Sequence, residues 1–144
     1  MKTPRLTMFM KSAFLGLLTI MIILPLTSSA KKIPFLTSTV APAARGYIKI
    51  NKDSNKNFTI QVNVEDLAVI ERIQPTQQTY VVWMVNDRNE TENIGRIISS
   101  KNLSGFMKTV SSSQPIKIFI TAEKDESVQY PGDMIVLTTD NFWE

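Results

Sequence analysis

Thr79-Tyr80-Val81-Val82-Trp83-Met84-Val85-Asn86 is the stretch on which the fold turns. Side chains alternate faces along a strand, so Tyr80, Val82 and Met84 share one side and Val81, Trp83 and Val85 the other. Both sets are apolar, which suits a central strand covered on both faces. A short buried helix could produce the same run, but a segment this rich in Val and aromatics favours the strand.

Working outward, further strand signals flank it. Phe58–Val64 alternates most cleanly, with Phe58, Ile60, Val62 and Val64 inward and Thr59, Gln61 and Asn63 outward. Tyr47–Ile50 precedes it across the polar loop 51–57, which predicts a hairpin. After the central stretch, 87–93 reads as an acidic and amide-rich loop. Strands are then expected at Ile94–Ser99, Leu103–Val110, Ile116–Ala122 and Met134–Thr139. Gly95 marks a bulge or a close backbone approach. Tyr130-Pro131-Gly132-Asp133 carries the residues of a type II turn. Leu67, Ile70 and Ile73 have helical spacing ended by Pro75, predicting a short helical turn or packed loop crossing between sheets. The sum is an all-β antiparallel sandwich of seven to eight strands with an immunoglobulin-like outline. Trp83 would fit its core, and there is no cysteine pair.

The start of the chain has another character. Basic Lys2, Arg5 and Lys11 precede an apolar run from Ser12 to Leu26, followed by Thr27-Ser28-Ser29-Ala30. That order is the layout of a signal peptide cleaved after Ala30, giving an extracytoplasmic (periplasmic or secreted) protein. The alternative is an uncleaved inner-membrane anchor, which Lys31-Lys32 directly after the small residues would suit, although a spanning helix needs roughly 20 apolar residues. Removing 30 of 144 residues leaves 114, enough for one domain. Lys31–Arg45 reads as a partly extended tether, with Phe35 and Leu36 able to dock as an edge strand, and 46–144 as the domain proper.

Composition excludes several chemistries. The chain has no histidine and no cysteine, so Ser-His-Asp and Cys-His nucleophiles are impossible and the usual zinc ligands are missing. The +3 formal charge belongs to the leader, which holds three of 16 basic residues and no acid; the remainder has 13 of each sign. Overall charge therefore gives no support to nucleic-acid or anionic-surface binding. Asp53–Asn57 resembles the start of a calcium loop, but Phe58 stands where Gly is needed and Val64 where the closing Glu belongs. No metal, cofactor or catalytic residue is expected. Carboxylate-based hydrolysis is the enzymatic alternative.

Several landmarks together resemble the extracytoplasmic C-terminal domain of the anti-sigma-K factor family. They are Tyr80–Val85, the pair Ile94-Gly95, Ile118–Glu123 ending in its glutamate, and Tyr130-Pro131-Gly132 followed by Ile135-Val136-Leu137. Tyr80, Trp83, Gly95, Glu123, Pro131 and Gly132 carry the likeness, which spans Ala44 to Thr139. Lys124-Asp125-Glu126 stands where the family often has paired glycines. The resemblance implies a sandwich fold, an extracytoplasmic site of action and an indirect regulatory role. Only eleven residues precede the apolar run, too few for the family's sigma-binding domain, so no direct sigma-factor binding is expected.

The expected function is thus a non-catalytic binding module for a protein or envelope component, with a structural or adhesive role as the alternative. Loops on a rigid scaffold usually carry recognition. The expected partner-binding residues are Asp87, Arg88, Glu90 and Glu92 in one loop, and Asp125, Glu126 and Tyr130 in another.

Overall fold

A computed structural model describes residues 30–73, 77–99 and 103–143. The expected leader and Pro75 lie outside them. Nine strands form two antiparallel sheets: β1 (Lys31–Pro34), β2 (Arg45–Lys52), β3 (Phe58–Glu65), β4 (Thr79–Asn86), β5 (Thr91–Arg96), β6 (Ile98–Ser99), β7 (Gly105–Ser111), β8 (Pro115–Glu123) and β9 (Ile135–Thr138). Sheet A runs β1-β2-β3-β7-β6 and sheet B runs β5-β4-β8-β9. The connections β3–β4, β5–β6 and β7–β8 each cross between sheets, which is the immunoglobulin-like order with β4 in the position of strand C.

The inward residues follow the alternation of the sequence. Ile48, Ile60 and Val62 of sheet A meet Val82, Ile118 and Ile120 of sheet B in one core. Each is fully buried.

One expected strand is divided in two, for an identifiable reason. The run Ile94–Ser99 is not one strand. β5 starts earlier, at Thr91, and the chain leaves sheet B at buried Ile97 to enter sheet A as β6. Ile94 is the extra residue of a bulge between the pairs Val82/Gly95 and Trp83/Asn93. Gly95 sits there at φ 133°, and a Cβ would meet Met107 Sδ at 3.1 Å, so it fills both expected roles.

The loop after β4 is correspondingly shorter, Asp87–Glu90. Asn86 closes it: its Oδ1 accepts the N–H groups of Arg88 (2.9 Å) and Glu90 (3.0 Å), and Asn89 takes the left-handed conformation. Asp53 builds the β2–β3 tip in the same way. Its Oδ1 accepts from Asn55 and Asn57 at 2.8 Å each, and Lys56 is left-handed. These bonds shape the tip of the hairpin expected across 51–57.

Lys31–Arg45 is not a free tether. β1 pairs with β2, Leu36 N–H then donates to Thr138 of β9 on the other sheet, and Ser38, Ala41 and Ala44 are buried. The edge strand lies just before the Phe35–Leu36 position considered for it. Among its described residues the crossing after β3 contains one 3-10 turn, Ile70–Arg72, and Tyr80 Oη pins the segment before it by donating to Ala68 O at 2.7 Å. The C-terminal tail is docked, with Phe142 buried and Trp143 Nε1 donating to Pro115 O at 2.8 Å.

Candidate functional site

Trp83 is wholly buried, but not between the sheets. It points from the outer face of sheet B, the side away from the core, together with Val81. Phe119, its cross-strand neighbour on β8, stacks on it with ring centroids 6.4 Å apart and planes 16° from parallel. Phe119 lies out of phase with the inward Ile118 and Ile120 because this face is covered too. The cover comes from the loop between β8 and β9, residues 124–134.

Side-chain hydrogen bonds hold this flap down at both ends. On the β5 side, Asn93 Nδ2 donates to the carbonyls of Glu126 and Val128 at 2.9 Å each, and Arg96 pairs with Glu126 at 2.6 Å. On the β8 side, the Glu123 carboxylate accepts the N–H of Gly132 at 2.7 Å. Asn93 pairs with Trp83 across the ladder, and Glu123 ends the strand on the other side of β4. The flap therefore crosses above the outer face of β4.

A continuous polar chain runs beneath it. Trp83 Nε1 donates to Thr121 Oγ1 at 2.8 Å; Thr121 Oγ1 donates to Glu123 Oε1 at 2.5 Å; the same oxygen accepts from Gly132. Thr121 is fully buried and Glu123 is 8% exposed. Buried polar atoms cost stability unless paired, and every member of this chain has a partner. Gly132 eases the close approach, since a Cβ there would stand 3.0 Å from Glu123 Oε2. It is not there for a type II turn. Gly95 is the only glycine with positive φ among the described residues, so Gly132 lacks the conformation such a turn requires.

Between the flap and the end of sheet B lies a cleft of about 700 Å³. Val40, Val128 and Met134 supply apolar walls, and Gln77, Glu123 and Asp133 supply polar groups. An apolar depression with a few convergent polar groups is the usual form of a ligand site.

The residues expected to bind a partner fall into two separate places. Asp87, Arg88 and Glu90 occupy the β4–β5 tip, beside the start of β8, where Asn86 pairs with Pro115. There Arg88 Nε pairs with Glu90 at 2.9 Å, and Asn86 Nδ2 donates to Glu90 (2.9 Å) and Glu92 (2.8 Å). The Asn86 bond first, then the Arg88 bond and charge, hold the Glu90 carboxyl below the usual range. Asp125, Glu126 and Tyr130 ride on the flap, which leaves the opposite end of β8. Asp125 accepts from Ser127 N–H and Oγ at 2.7 Å each, and those bonds lower its pKa. Tyr130 is 84% exposed. Most of these acids thus have local structural partners.

Thr121, Asn93 and Gln77 were not singled out in the sequence. Thr121 matters only because β4–β8 register sets it near Trp83, and Asn93 only because the flap reaches it. Among the described residues, no three acidic side chains gather as a group that could hold a metal ion, and no helix is long and apolar enough to cross a membrane. No family model, curated protein or solved structure matches this chain. The class stated by the fold itself is an immunoglobulin-like β-sandwich with a flap-covered outer sheet.

Proposed function

We propose that this protein is an exported, non-catalytic binding module that takes a protein or envelope component at the cleft beneath the flap. The observation that carries the reading is Glu123, a carboxylate buried at the rim of an apolar cleft and already tied through Oε1 to the flap. A partner that fills the cleft would press on the element that Glu123 holds, so occupancy would be felt by the flap. That coupling suits a sensory domain, and the landmarks shared with the anti-sigma-K family support a regulatory role over a structural or adhesive one. The same bonds argue against Glu123 as the acid of a hydrolase, because its Oε1 is committed to Thr121 and Gly132.

The test is capture from envelope extract by the immobilised domain. Saturable recovery of a partner is expected, lost when Val40 and Val128 are both changed to Asp at unaltered melting temperature. Recovery unaffected by that pair of changes would reject the site. Removal of the charges on Asp87, Arg88 and Glu90 tests the β4–β5 tip, which is expected to matter less.

A further inference from the structure

The balance of 13 basic and 13 acidic residues after the leader conceals a separation of charge between the two layers. Sheet A with its hairpin and edge segments (31–66 and 105–111) holds seven basic and three acidic residues, a net of +4. Sheet B with its tip, flap and tail (79–96 and 112–143) holds four basic and eight acidic residues, a net of −4. A neutral domain is therefore strongly bipolar.

Three of the seven, Lys32, Lys49 and Lys108, share the outer face of sheet A. Register places Lys32 beside Lys49, Lys49 beside Gln61 and Gln61 beside Lys108, one straight row across four strands. With strands about 4.8 Å apart, the three ammonium stems stand on neighbouring strands and then two strands further on. The row on one side holds Tyr47, Asn63 and Phe106, and the row on the other Asn51, Thr59 and Val110. No carboxylate occurs in the three rows; Glu65, at the margin, is paired with Arg45. Two of the lysines are also held in place, since Lys32 Nζ lies 3.9 Å and Lys49 Nζ 5.6 Å from the Tyr47 ring centroid. Ordering them in advance lowers the entropy cost of contacting a ligand.

We infer that this face binds an extended anionic glycan, one bearing carboxylates or phosphates along its length. Cations alone would suit any anionic surface. The amides and hydroxyl between them (Gln61, Asn63, Thr59) are suited to sugar hydroxyls, whereas the exposed apolar residues Ile98, Phe106 and Val110 lie toward the β6–β7 edge and not at the centre where a bilayer would press. The face is on the opposite layer from the flap cleft and does not depend on the reading of that cleft.

Polygalacturonate is the probe, with neutral dextran and anionic phosphatidylglycerol vesicles as the comparison arms, measured by calorimetry or sedimentation on the leaderless protein. Saturable binding to polygalacturonate is expected, weakened at least about tenfold in K32Q/K49Q/K108Q and abolished near 1 M salt, where charges screen within about 3 Å. Lys117→Gln, one charge removed from sheet B, is expected to bind as the parent does. Undiminished binding by the triple variant, equal binding to dextran, or binding to vesicles but not to the glycan would each overturn the inference. Should the triple variant fail to fold by circular dichroism, Lys108→Glu alone decides, since Lys108 is exposed and its replacement leaves the Tyr47 contacts intact.

Discussion

The Glu123 carboxylate receives the backbone N–H of Gly132 at 2.7 Å, nine residues further along the chain. This one contact closes the base of the flap, and through Thr121 it reaches the indole of Trp83 on the central strand.

Glu123→Ala is expected to destabilise the fold by about 1–3 kcal/mol, because the Thr121 hydroxyl and Gly132 N–H are left without an acceptor. Glu123→Gln keeps an oxygen in place and is expected to cost less. Chemical denaturation of the two variants side by side checks the order.

Trp83→Phe removes the Nε1 donor and leaves space on a face that Phe119 cannot refill. We expect a loss of roughly 1–3 kcal/mol, and roughly 3–5 kcal/mol for Trp83→Ala. In a Trp143→Phe background, Trp83 emission reports its environment alone; blue-shifted emission, insensitive to added quencher, is expected from a fully buried indole.

Asn86→Ala is expected to cost about 1–2 kcal/mol, since two tip N–H groups lose their acceptor and the flanking carboxylates of Glu90 and Glu92 lose a donor. Asp53→Ala, the same substitution at the exposed β2–β3 tip, is expected to cost less. Thermal melts of both variants test whether burial of Asn86 makes the difference.

Alkaline pH should weaken the fold through Tyr80. Burial, with a smaller contribution from the Glu71 charge, pushes its phenol up to about 12 from 10.0. The folded state thus favours the neutral phenol, so its contribution is intact below pH 10 and declines as pH rises from 10 to 12. Tyr80→Phe removes that decline while losing the bond to Ala68 O. At the acid end, Glu90 and Asp125 have lowered pKa values, so their contributions hold above the ordinary carboxylate range and fade as pH falls through the lowered values. Denaturation midpoints across pH measure both limbs.

The sheets were legible where burial alone determines the pattern. Phe58–Val64 alternates because its outer face meets water, and Tyr80–Val85 does not because both of its faces are covered. What covers the second face could not be read, because it is a loop, held by Asn93 and Glu123, residues far apart in sequence that meet only once strand register is known. The direction of Trp83 was hidden for the same reason. An apolar stretch on both faces shows that a cover exists, not which of the two faces meets the other sheet. The break at Ile97 is not legible in the sequence because one apolar run can serve two sheets in turn. Net charge was equally silent about Lys32, Lys49 and Lys108, which only β-pairing lines up.

The most direct test of the account is amide hydrogen exchange at Gly132 in the isolated domain, followed by NMR. Its N–H should be strongly protected in the parent and lose that protection in Glu123→Ala, while core amides such as Ile120 stay slow. Exchange of Gly132 at the rate of an unstructured loop in the parent would contradict a flap held on Glu123, and with it the cleft and the proposed binding role.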